Sequence, residues 1–224
     1  MAQRLFTQTE LDRIAEAIRA AEQKTSGEIV PYFVEQSDRY EEAAWRGGAL
    51  FSALALVAVA IFHITSEEWH GLGPAEIGIL VLGAMGIGIM VTHWVAPLKR
   101  LLAGENLLEQ RVAQRAAQAF IAEEVFNTRD RTGILLFLSH LERKVLVVGD
   151  SGINERVEQS EWEDVVARLT RGINEGKAAE GFVDAIHRCG ELLTRRGVKR
   201  RKDDTNELTN KLRTETKKKR RKRS

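Results

Sequence analysis

Two apolar runs constrain this chain more than any other feature. The first, Gly47 to Thr65 (GGALFSALALVAVAIFHIT), has no Asp, Glu, Lys or Arg in 19 residues. The second, Ile77 to Leu98 (IGILVLGAMGIGIMVTHWVAPL), has none in 22. At about 1.5 Å per residue each makes a helix of roughly 28–33 Å, the thickness of a hydrocarbon core. A segment in lipid must satisfy its own backbone groups, so each run is predicted to be a helix. Residues 47–98 therefore read as a transmembrane hairpin, with spans at 47–65 and 77–98.

The flanks give that hairpin a direction. Arg39 and Arg46 precede the first run, Lys99 and Arg100 follow the second, and the connecting loop Ser66 to Glu76 (SEEWHGLGPAE) has neither Lys nor Arg. Cations collect on the cytoplasmic side. The expectation is an inner (plasma) membrane protein, multi-pass, with both termini cytoplasmic. Trp45, Trp69 and Trp94 fall near the expected interfaces, where indole rings settle. Gly83, Gly86 and Gly88 are small residues that would let the spans approach closely. The N-terminal stretch is charged and amphipathic and lacks the apolar centre of a cleavable leader.

The remaining sequence reads as one α/β domain split by the hairpin. Thr7 to Lys24 is predicted to be a helix, opened by a Thr7/Glu10 capping box and carrying Leu11, Ile14, Ile18 and Ala21 on one stripe. Glu28 to Glu35 (EIVPYFVE) is rich in β-formers, with Pro31 requiring an edge or an irregularity. After the hairpin come a long helix from Lys99 to Phe126, a strand pair at Ile134 to Ser139 and Lys144 to Val148, and helices at Asn154 to Ile173 and Ala178 to Arg195. An even number of crossings returns the chain to its starting side. Residues 1–46 and 99–194 are thus expected to build one small mixed sheet flanked by helices. Charge sets residues 195–224 apart: 15 Lys/Arg against 4 Asp/Glu give +11, so with a whole-chain charge of +2 the remainder carries −9. With little to bury, this tail is expected to be disordered or loosely helical.

Three stretches of the split domain resemble the TPM-domain family: Ala21 to Glu35 (AEQKTSGEIVPYFVE), Arg131 to Ile153 (RTGILLFLSHLERKVLVVGDSGI) and Trp162 to Leu193, with its G-x-x-x-E-G-F pattern. The resemblance implies an α/β sandwich with helices on both faces of a central sheet. In some relatives it implies acid phosphatase activity or a bound divalent cation such as calcium. Such relatives carry an Asp-Asn-Gly turn before the central strand, whereas this chain reads Asp130-Arg131-Thr132-Gly133. The Asn is absent and an Arg stands beside the acid, which weakens the metal and phosphatase readings.

The residues themselves offer one candidate centre. In a hairpin, Asp130 before the first strand and Asp150 after the second come to the same end, and Glu28 opens the neighbouring strand. Three carboxylates there would supply hard oxygen ligands to Ca2+ or Mg2+. The competing reading has Asp130 capping a turn and Asp150 opening a helix. No P-loop, nucleophile elbow, zinc-protease motif or Cys/His cluster occurs, and Cys189 reads as a buried thiol. In the tail, Lys217, Lys218, Lys219, Arg220, Arg221, Lys222 and Arg223 form an unbroken cationic run suited to anionic lipid; nucleic acid or ribosome contact, and a merely solvated tail, are the alternatives. Two functions stay open: a binding or assembly module for a membrane partner, and a divalent-metal-dependent, acid-phosphatase-like enzyme at the membrane. The missing Asn favours the first.

Overall fold

The computed structural model describes residues 6–65, 72–198, 200 and 207–214. The loop carrying Trp69 and the cationic run 217–223 lie outside them. The chain divides into two compact units, one of residues up to Ser37 with those from Arg111 onward, the other of Asp38–Gln110.

The first unit is an α/β domain. Helix α1 (Gln8–Glu22) begins with the expected capping box, the Thr7 hydroxyl taking the Glu10 N–H at 3.3 Å and the Glu10 carboxylate taking the Thr7 N–H at 2.7 Å. Strand β1 (Glu28–Val34) follows, then, beyond the other unit, the later part of α5 (Glu105–Ala122), β2 (Gly133–Ser139) and β3 (Lys144–Gly149). A short helix α6 (Ser151–Asn154), a 3-10 turn (Gln159–Trp162), α7 (Glu163–Asn174) and α8 (Ala178–Arg195) lead to β4 (Arg213–Thr214).

The sheet order is β3-β2-β1-β4. Strands β1 and β2 run parallel with Glu28 opposite Gly133 and Val34 opposite Ser139, and β3 returns antiparallel to β2. The strand before the apolar runs therefore lies beside the strand after them, as the split-domain expectation requires. All seven residues of β1 and of β2 are buried. Successive residues point to opposite faces. Ile29, Phe33, Ile134, Leu136 and Leu138 join α1, α7 and α8 on one side, while Val30, Tyr32, Val34, Leu135 and Phe137 meet Val112, Ala116 and Ala119 of α5 on the other. Helices covering both faces explain why the two strands read as continuous apolar runs.

Three differences from the sequence reading have local causes. The helix expected over Lys99 to Phe126 is broken at Gly104 and ends at Ala122. The helix expected over Asn154 to Ile173 is three pieces, because Asp150 caps a short turn of helix and the chain re-enters at Gln159. The tail is not loose throughout: Arg213 and Thr214 pair in parallel with Tyr32 and Phe33, beyond Pro31, which is why β1 tolerates a residue without an N–H.

The second unit holds α2 (Glu41–Thr65) and α3 (Pro74–Trp94), followed by α4 (Ala96–Ala103). Helices of 25 and 21 residues are about 37 and 31 Å long. Both are long and apolar enough to cross a membrane. Their large apolar side chains face outward, Ile64 at 82%, Ile79 at 72% and Leu82 at 68% exposure. Of the three glycines expected at the helix contact, Gly88 is there: a Cβ on it would lie 2.5 Å from the Gly47 carbonyl oxygen. Gly83 and Gly86 have open space where a side chain would go. Arg46 closes this unit by donating to the carbonyls of Leu102 and Ala103, at 2.7 and 3.0 Å, at the C-terminus of α4.

Candidate functional site

The sheet topology brings the backbones of the three candidate ligands to one end of the sheet. Glu28 faces Gly133 across the β1–β2 ladder, and its N–H donates to the Thr132 carbonyl at 3.2 Å. Asp150 donates its N–H to the Gly133 carbonyl at 2.9 Å. The Asp130 loop is held against the start of α6, where a Cβ on Gly152 would fall 2.3 Å from the Asp130 carbonyl oxygen. Hairpin reasoning thus places these positions correctly.

Their carboxylates do not converge. Asp150 is buried, its Oδ1 accepting the Ser151 N–H at 2.7 Å as the cap of α6. Its Oδ2 lies 2.9 Å from Arg131 Nε, outside hydrogen-bond geometry. Arg131 reaches it from a left-handed backbone (φ 57°), with its guanidinium carbon 5.7 Å from the centre of the Phe126 ring. Arg131 thus places a positive charge beside the buried Asp150 carboxylate. Glu28, also buried, accepts backbone N–H groups from Glu207 at 3.1 Å and Leu208 at 3.3 Å. Asp130 is exposed. Among the described residues, no three His, Cys, Asp or Glu side chains are grouped as a metal ion requires. Of the Glu28, Asp130 and Asp150 set, Glu28 and Asp150 accept the protein's own backbone amides. The helix-opening role weighed for Asp150 is the one observed.

A second carboxylate beside Glu28 went unread in the sequence. Glu22, at the end of α1, accepts the Ile29 N–H at 3.0 Å and the Asn210 side-chain amide at 2.6 Å. Burial pushes its carboxyl up to about 8, and the neighbouring Glu28 adds to the rise, against the lowering effect of the Ile29 N–H, Asn210 and Arg213. The available signal was its spacing: Glu22 continues the Ile14/Ile18 stripe by one turn, onto the face that packs inward.

At the opposite end of the sheet, Glu142 and Ser139 are both buried. Glu142 accepts the Ser37 N–H at 2.8 Å and the Ser139 hydroxyl, and the two serine hydroxyls lie 2.8 Å apart. This network ties the end of β1 to the β2–β3 turn. Cys189 is fully buried on α8, and burial raises its thiol further from the reactive thiolate. An open groove of about 590 Å3 runs along α7, lined by Trp162, Val166 and Thr170 among others; none of the candidate carboxylates borders it.

Residues 94–192 match the family model of the TPM domain. No curated protein matches the sequence. Among solved structures, the NMR structure of the BA42 protein from the psychrophilic bacterium Bizionia argentinensis is similar, with a TM-score of 0.56 and 21% identity over 94% of this chain and 95% of that one. That likeness is one of fold. The matched residues begin after β1, so the strand that stands between β2 and β4 is contributed by a segment the family match does not include.

Proposed function

This chain carries a TPM domain, and from that premise we propose that it is a membrane-anchored binding or assembly module whose α/β domain engages a membrane partner. Anchoring is supported by the outward apolar surface of α2 and α3, which water solvates poorly and a bilayer covers well. Trp45 and Trp94 are exposed near the outer ends of those helices, as interface rings are. The cations Arg39, Arg46, Lys99 and Arg100 flank the pair, and the loop between has none; on this reading both termini are cytoplasmic.

The observation that carries a binding role is the engagement of the acidic residues. Asp150 holds a helix start and Arg131, and Glu28 holds the segment at 207 and 208. They act as structural acceptors at a sheet end rather than as a converging pair awaiting substrate. Purification from native membranes in mild detergent tests the proposal. A stoichiometric membrane partner that stays bound supports it, and a clean, partner-free protein counts against it. Hydrolysis of a phosphomonoester with Ca2+, Mg2+ or Mn2+, abolished by Asp130→Ala or Asp150→Ala, would replace this reading with the phosphatase.

A further inference from the structure

Residues 207–214 (ELTNKLRT) cover the outer edge of β1 in an unusual way. Their regular pairing is two residues long, Arg213 and Thr214 against Tyr32 and Phe33. No residue of the segment is buried, whereas Glu28 and Tyr32 beneath it are. The hold comes from addressed contacts spaced along the segment. Glu28 takes two successive backbone N–H groups, of Glu207 and Leu208. The Glu207 carboxylate accepts the Arg129 N–H at 3.1 Å. Asn210 donates its side-chain amide to Glu22, and Arg213 Nε donates to Glu123 at 2.9 Å. Leu208 packs on the α5 side of the sheet and Leu212 on the α1/α8 side, so the segment clasps the edge with one leucine on each face. Between Val198 and Glu207 the sequence is KRRKDDTN, without an apolar residue.

This is how an extended peptide docks on a sheet edge: main-chain bonds give affinity, and pockets for alternate side chains give choice. Charge agrees at one end of the segment, where Arg213 pairs with Glu123. We propose that the outer edge of β1, anchored by Glu28 and Glu22, is a docking site for an extended peptide of the form Leu-x-Asn-x-Leu-Arg lying parallel to β1, and that residues 207–214 are its resident occupant, displaced when a partner segment of that chemistry binds. The proposal deepens the binding-module reading and names the surface that reading leaves unassigned.

The test uses the full chain in detergent micelles and a fluorescent peptide of residues 207–214. The triple variant Leu208→Asp, Asn210→Ala, Leu212→Asp weakens the resident segment and leaves the receptor side intact. It is expected to bind the peptide saturably, at least about ten-fold tighter than the wild type, whose site is filled. Adding Glu28→Gln to the triple variant is expected to cost about ten-fold or more. No binding by a triple variant with wild-type circular dichroism and melting, or equal binding with and without Glu28→Gln, overturns the proposal. Should the triple variant fail to fold, a protease site placed within 199–206 serves instead. The cleaved segment should dissociate on dilution and rebind as free peptide; permanent retention, or unfolding on its release, overturns the proposal. A crosslink joining 207–214 to Glu28 of a second copy in the wild type overturns the cis occupancy. Peptide binding is read without any membrane partner, so its failure is distinguishable from failure of co-purification.

Discussion

The Glu28 carboxylate accepts the backbone N–H of Glu207, 179 residues later in the chain, at 3.1 Å. It accepts the Leu208 N–H as well, at 3.3 Å, and it is buried while doing so. Glu28→Ala leaves two amides and a cavity at the sheet edge. It is expected to lower unfolding free energy by about 1–3 kcal/mol in urea titrations, and to make the chain beyond Val198 sensitive to dilute protease while the domain core stays resistant.

Glu22 makes stability depend on pH. Burial pushes its carboxyl up to about 8 in the fold against the ordinary 4.5, with the Ile29 N–H, Asn210 and Arg213 favouring the charged form and Glu28 opposing it. Between those two values the folded state holds a proton that the unfolded chain has lost. Stability therefore falls as pH rises from 4.5 toward 8 and levels off above, with a slope of at most about 1.4 kcal/mol per pH unit, reduced by the side chain's partial exposure. Glu22→Gln is expected to flatten this segment of the curve and to exceed the wild type in stability at pH 9. Melting temperatures at unit pH intervals check it.

The α2–α3 contact rests on Gly47 and Gly88. Gly88→Ile places carbon where the Gly47 carbonyl oxygen and the Phe51 side chain already lie. It is expected to cost about 1–3 kcal/mol and to lower the unfolding midpoint in detergent. Gly83→Ile and Gly86→Ile fill open space and should leave the midpoint near the wild-type value.

Asp150→Asn keeps an acceptor for Ser151 but removes the charge opposite Arg131. A loss of about 0.2–1 kcal/mol is expected, the range of a partly exposed ion pair. Because Arg131 already occupies the acid's side, millimolar Ca2+ or Mg2+ is expected to leave the wild-type melting temperature unchanged. A metal-dependent rise that Asp150→Asn abolishes would restore the cation site.

For the membrane topology, reporters that fluoresce only in the cytoplasm, fused in turn to each terminus, are both expected to be bright. One bright and one dark fusion would mean an odd number of crossings and remove the proposed hairpin.

The sheet and the two long apolar helices were legible because their signals are long-range averages. Two runs without charge identify α2 and α3, and continuous burial in Ile134 to Ser139 identifies a central strand. What escaped is set by single contacts. Residues 207–214 are polar enough to read as tail, and only the acceptors Glu22 and Glu28, far away in sequence, reveal their place. The Asp150 engagement was half legible: a helix-opening Asp follows from G-D-x-G-I, but the approach of Arg131 depends on a left-handed backbone that no local rule demanded. Likewise Glu142, in what reads as a plain turn, is buried because Ser37 returns to it from 105 positions earlier.

The parallel pairing of β1 with β2 has a consequence for biosynthesis. A ribosome finishes β1 early, then makes α2 and α3 before the first residue of β2 exists. Through that interval the nascent chain has α1 but lacks β2 and α5, which cover Val30, and α7 and α8, which complete the cover of Ile29 and Phe33. The sheet can therefore close only after residues 35–132 have been made, so its folding clock starts late in synthesis.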